Sequence, residues 1–134
     1  MSKPELEVYS ARSAWSDSQE IHFRVTAISR QWTARPHLWR PPTDMYETEK
    51  EYAVRVEIAG MQDAELNIAV EDRQLAIYGL RQPPNEQAAY HQMEVRFGEF
   101  LSVVELPGMI DADRIKAEYK DGFLLVTLPK ASVR

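Results

Sequence analysis

The sequence predicts an all-β sandwich preceded by a separate N-terminal arm. Two observations carry the fold class. From residue 46 onward, apolar and polar residues alternate over seven short runs bounded by Gly, Pro, Asn or Asp. The same stretch has almost no 3.6-residue period, which leaves sheet packed on sheet as the way to bury one face of every strand. A third observation separates the arm. All three tryptophans (Trp15, Trp32, Trp39) lie within the first 39 residues, and all five glycines lie within the last 75. Residues 1–45 carry a net charge of +1, whereas residues 46–134 carry −6, against −5 for the chain. A length of 134 residues fits one domain with an extension.

In the arm, Ile21, Val25, Ile28 and Trp32 recur at helical spacing, and Asp17 with Glu20 resembles a capping box. This spacing predicts a short helix over about 18–32. Ile21, Phe23 and Val25 also alternate, which favours strand. Residues 1–16 show no period and are expected to be disordered. Arg35–Pro36 and Arg40–Pro41–Pro42 break the chain into a linker.

Tyr52 to Ile58 reads as the first strand, closed by Gly60. Leu66 to Val70 and Leu75 to Gly79 form a hairpin across Glu71–Asp72–Arg73. A long loop opens at Pro83–Pro84. Tyr90 to Phe97 is a weaker strand, and Phe100 to Leu106 is a strand stopped by Pro107, which has no N–H to continue a ladder. Ile115 to Tyr119 and Phe123 to Leu128 form a second hairpin. Asp121–Gly122 between them is a two-residue turn that needs φ > 0.

The composition speaks against several function classes. There is no cysteine, hence no thiol nucleophile and no disulfide, which fits a reducing compartment. His22, His37 and His91 have no metal-ligand spacing. No serine sits in a nucleophile elbow, and the glycines are 10 or more residues apart, so no phosphate loop is present. Neither an enzyme nor a cofactor or metal site is expected. An acidic chain does not fit a nucleic-acid binder. No run of 18 apolar residues spans a membrane, and no signal pattern opens the chain, so a cytoplasmic location is expected. The arm aromatics Trp15, Phe23 and Trp32, with Ile28, have no core of their own. They are expected to contact the sandwich, a neighbouring subunit or other proteins. Trp39, beside the domain, is expected to be structural.

The stretch from Trp39 to Lys130 resembles the alpha-crystallin domain of small heat-shock proteins of the bacterial and plant type. The residues that carry the resemblance are Trp39 to Thr48, then Ile58–Ala59–Gly60–Met61, Leu66 to Val70 and Leu75 to Arg81. They continue with Ala117 to Leu124, and with Val126–Thr127–Leu128–Pro129–Lys130. About two-thirds of the chain is covered, in order. The division that follows is an arm at 1–38, a domain at 39–130 and a tail at 131–134.

The resemblance implies an immunoglobulin-like antiparallel sandwich that dimerises and binds unfolding client proteins without ATP. It implies that a strand in the long loop pairs with the partner's sheet. Here that strand is Tyr90, His91, Gln92, Met93, Glu94, Val95 and Arg96. It also implies an apolar groove lined by Leu66, Ile68, Val70, Ile115 and Ala117, which family members fill with an Ile-x-Ile-type tail to build higher oligomers. Three departures stand out. Val95 replaces the arginine of a Glu-Arg pair, with Arg96 one place late. Ser102 replaces another arginine, so different dimer-face electrostatics are expected. The tail carries Val133 alone. Leu6 and Val8 have the spacing of two apolar knobs on one face of an extended strand, and they are the candidate ligand for the groove. A holdase is the expected function. The alternatives are a co-chaperone of the CS-domain kind docking on a folded chaperone, or a structural self-assembly protein.

Overall fold

The computed structural model describes residues 7–12, 20–26, 38–61 and 66–132. Among the described residues, nine strands form two sheets. They are β1 (Glu7–Arg12), β2 (Glu20–Thr26), β3 (Thr43–Glu47), β4 (Glu51–Glu57), β5 (Leu66–Glu71), β6 (Gln74–Arg81), β7 (Gly98–Glu105), β8 (Lys116–Lys120) and β9 (Phe123–Pro129). One sheet runs β1-β2-β5-β6-β7 and the other β3-β4-β9-β8. A 3₁₀ turn at Ala112–Arg114 leads into β8, with the Asp111 carboxylate accepting from the Asp113 N–H.

Alternation explains which face each strand buries. In β4, Tyr52, Val54 and Val56 are buried, while Arg55 and Glu57 are exposed. In β9, Leu124, Val126 and Leu128 are buried and the residues between them are not. From the facing sheet come Leu66, Ile68, Leu75, Ile77 and Phe100, and Trp39 joins them. Fully burying one such side chain contributes about 1.5–3 kcal/mol. The β8–β9 turn has φ +53 at Asp121 and +81 at Gly122. Positive φ at both residues matches the twist of the flanking strands. A Cβ at Gly122 would stand 3.2 Å from the Ala59 Cβ.

The structure differs from the sequence reading in four places. Over Glu20–Thr26 the chain is a strand, not part of a helix, and Glu7–Arg12 is a strand rather than a disordered stretch. The two form an antiparallel hairpin, and β2 then pairs in parallel with β5 through Arg24–Asn67, Val25–Ile68 and Thr26–Ala69. The alternation of Ile21, Phe23 and Val25 therefore prevails over the helical spacing. The edge of β5 offers the backbone partner that no sequence pattern can reveal. The rest of 18–32 lies outside the described residues. Second, Thr43–Glu47 is a strand, on the outer edge of the second sheet. Third, β6 runs past Gly79 to Arg81. Fourth, Tyr90–Phe97 forms no strand in the single chain. A strand needs an edge to pair with, and this segment reaches none on its own sheets.

Candidate functional site: an open strand edge, an exposed loop and a covered edge

The loop from 82 to 97 is anchored at its base by Arg81. Its guanidinium lies 4.5 Å from the Trp39 ring centroid and 5.3 Å from that of Phe97. Nε donates to the Arg96 carbonyl at 2.8 Å, Nη2 donates to the same oxygen, and Nη1 donates to the Ala59 carbonyl at 3.3 Å. Burial pulls this guanidinium below its ordinary pKa. Trp39 is itself fixed, with Nε1 donating to the Gly98 carbonyl at 3.3 Å and the ring tilted against Phe100 at 5.6 Å. Both ends of the loop are thus clamped, while the span between them is exposed. The sequence marks Arg81 only as part of a motif. Its role as clamp rests on contacts across 15 and 22 residues, which no local pattern carries.

Of the exchange-strand residues, Tyr90 is 48% exposed, Met93 65% and Val95 64%. His91, Gln92, Glu94 and Arg96 are exposed as well. Gln92 donates to Glu94, and no ion pair joins Glu94 to Arg96 among the described residues. The outer edge of β3 matches this loop in kind. β3 pairs with β4 on one side only, and Met45 and Tyr46 are exposed on it. Arg55 holds Asp44 at 2.7 Å and stands over the Tyr46 ring.

Ser102 does not stand on an exposed dimer face. It is 1% exposed and shares a 2.6 Å hydrogen bond with the Thr43 hydroxyl, tying β7 to β3 across the sandwich. A serine fits that dry position where an arginine would need counter-charge.

The residues expected to line a groove belong to the hydrophobic core cluster or pack against it. Leu66, Ile68, Ile115 and Ala117 are buried, and Val70 packs on the same cluster. The β1–β2 hairpin runs along the edge of β5, and β1 lies against β8. Val8 is in β1, paired with Arg24. Leu6 lies outside the described residues, as do Trp15, Ile28 and Trp32. Phe23 is in β2, opposite Tyr9. At the β5–β8 end, the Tyr119 hydroxyl donates to the Ile58 carbonyl at 2.8 Å. Burial raises its pKa, partly countered by a hydrogen bond from the Met61 N–H.

Among the described residues no group of three or more His, Cys, Asp or Glu could hold a metal ion, and no helix is long and apolar enough to cross a membrane. Among the described residues the fold presents a two-sheet sandwich in which the outer edge of β3 is unpaired, β2 covers the edge of β5, and a loop exposes apolar side chains. Residues 44–134 match the Hsp20/alpha crystallin family, so the chain belongs to that family. It is similar over nearly its whole length to small heat shock protein C4 of Rickettsia felis, at 26% identity over 96% of this chain and 81% of that protein. It is 37% identical to a 17.0 kDa class II heat shock protein of Zea mays, over 66% of this chain and 59% of that one. Among solved structures, heat shock protein 16.0 of Schizosaccharomyces pombe matches with a TM-score of 0.63. The identity is 28%, over 80% of this chain and 78% of that one. A second match is HSP18.5 from E. histolytica, with a TM-score of 0.62 and 26% identity over 72% of this chain and 92% of that one.

Proposed function

We propose that this chain is an ATP-independent holdase. It captures apolar surface on unfolding proteins and keeps them soluble, without catalysis and without a cofactor, in the cytoplasm. Family membership supports the class of activity. The observation that carries the reading is the loop at 82–97, whose Tyr90, Met93 and Val95 stand exposed outside both sheets. A monomer that left three such side chains in water would expose a sticky patch. Pairing Tyr90–Arg96 with the partner's β3 edge removes it and satisfies the backbone groups of both strands. The working unit is therefore a homodimer by strand exchange, able to build small higher oligomers.

In this reading the N-terminal hairpin is the occupant of the groove at β5 and β8. The parallel pairing of β2 supports an arm that covers this edge, with Val8 on the outer strand of the hairpin. Trp15, Phe23, Ile28 and Trp32 supply the contacts to clients and neighbouring subunits.

The test is protection of a heat-aggregating client at near-equal subunit ratio without nucleotide, followed by light scattering. Full-length protein should suppress the scattering. Soluble full-length protein that gives no suppression would falsify the holdase reading. Removing residues 1–38 should weaken protection and leave the dimer intact. Unchanged protection by that variant would take the arm out of client binding.

A further inference from the structure

The outer face of the second sheet carries a feature that client binding does not use. Cross-strand register places Lys116 beside Thr127, Thr127 beside Ala53, and Glu51 beside Pro129. Thr127 and Pro129 belong to the outward set of β9, between the buried Val126 and Leu128. Lys116 precedes the buried Ala117 and is exposed. Lys50 from the β3–β4 turn, Arg114 from the 3₁₀ turn and Lys130 after β9 join this row. Together they line one hollow, with Lys50, Arg114, Lys116 and Lys130 against Glu51 as the single acid of the lining.

This arrangement runs against the average of the chain, which has 21 acidic residues to 16 basic ones. Among the described residues, Lys130 is the one of these four that is neutralised. It holds Glu47 at 2.7 Å and lies 5.1 Å from the Tyr52 ring centroid. Lys50, Arg114 and Lys116 make no ion pair among the described residues. Uncompensated like charges around one hollow repel each other, and an anion seated there reverses the sign of that term. The chemistry of the lining narrows the ligand. It offers ammonium donors, one guanidinium fork and the Thr127 hydroxyl, beside Pro129 and the aliphatic stems of the basic side chains. Four cations against one acid favour an anion, and phosphate oxygens match both lysine and arginine. Three neighbouring strands span about 10 Å. That is wider than one tetrahedral oxyanion bridges, so the cations fit a linear chain of several phosphates.

We propose that this hollow is a binding site for a condensed phosphate chain, held by Lys50, Arg114, Lys116 and Lys130. The chemistry is shared by free inorganic polyphosphate and by the triphosphate of a nucleotide. The site stands apart from the exchange loop, with Lys116 exposed between the buried Ile115 and Ala117, and its test is independent of chaperone activity.

Inorganic tripolyphosphate is titrated into the full chain by calorimetry at low salt. The expected result is saturable binding that weakens as salt rises. Arg114→Glu with Lys116→Glu should weaken it by about tenfold or more, since charge-assisted hydrogen bonds are lost and repulsion is added. Lys120→Glu, on the same strand but outside the hollow, is the control and should leave binding nearly unchanged. A nucleoside triphosphate that binds no tighter than tripolyphosphate assigns the site to the free chain. One that binds tenfold tighter assigns it to the nucleotide. Circular dichroism and the native mass are read for each variant without phosphate and should match the parent. No saturable binding, or equal binding by the double variant, overturns the proposal. A change of native mass in the folded double variant without phosphate also overturns it, because the hollow would then be a contact between subunits.

Discussion

Val54 and Val95 are the same residue type in similar alternating runs, yet one is 0% exposed and the other 64%. Val54 sits in β4 between β3 and β9, with partners on both sides. Val95 sits in the loop at 82–97, which pairs with no edge of its own chain's sheets. The contrast teaches that alternation reports a capacity to form a strand, while burial requires a neighbour. Within the sandwich that neighbour is in the same chain. For the loop, it is proposed to be a second copy.

The largest effect should come from the sandwich interior. Phe100 is fully buried and packs on Trp39. Phe100→Ala should cost about 3–5 kcal/mol in a urea unfolding curve, through lost burial and the cavity left behind. A loss below 1 kcal/mol would mean that this core is not closed as described.

Next comes the β8–β9 turn. Gly122→Ala forces φ +81 on an alanine and brings its Cβ to 3.2 Å from the Ala59 Cβ. A loss of about 1–3 kcal/mol is expected from the urea midpoint. Ser102→Ala removes the bond to Thr43, whose hydroxyl keeps the Pro41 carbonyl as a partner at 2.9 Å. It should cost about 0.5–1.5 kcal/mol.

The loop should behave in the opposite way. Met93→Ser with Val95→Ser removes apolar groups that the single chain does not bury. Stability of the dilute monomer should stay within about 0.5 kcal/mol. The dimer mass measured by light scattering should fall. A large loss of monomer stability would show that these side chains pack on their own sandwich.

The smallest effect concerns pH. Burial raises the Tyr119 pKa above its ordinary value of 10.0. A raised folded pKa contributes stability that is fully present below the unfolded value and lost as pH rises through the folded one. Unfolding curves should therefore decline above about pH 10, and Tyr119→Phe should decline less steeply. Parallel pH profiles for the two proteins would remove this contribution.

Much of the sandwich was legible because buried faces impose a period of two on Tyr52–Ile58, Leu66–Val70 and Phe123–Leu128. The Asp121–Gly122 turn was legible because few residues adopt positive φ. The arm is ambiguous in sequence because Ile21, Val25 and Ile28 satisfy a helical spacing as readily as Ile21, Phe23 and Val25 satisfy a strand. The deciding partner, β5, lies about 40 residues away. β3 was missed because Thr43–Glu47 is almost wholly exposed and so shows no alternation of burial. The basic hollow was equally hidden, since Lys50, Arg114, Lys116 and Lys130 meet only through the register of three strands.

The central claim is that the sandwich folds within one chain while the loop carries the contact to a second. Deleting residues 84–92 and measuring native mass by size exclusion with light scattering tests it most directly. A folded monomer beside a dimeric or larger parent is the predicted result. A variant that keeps the parent's mass would contradict the account.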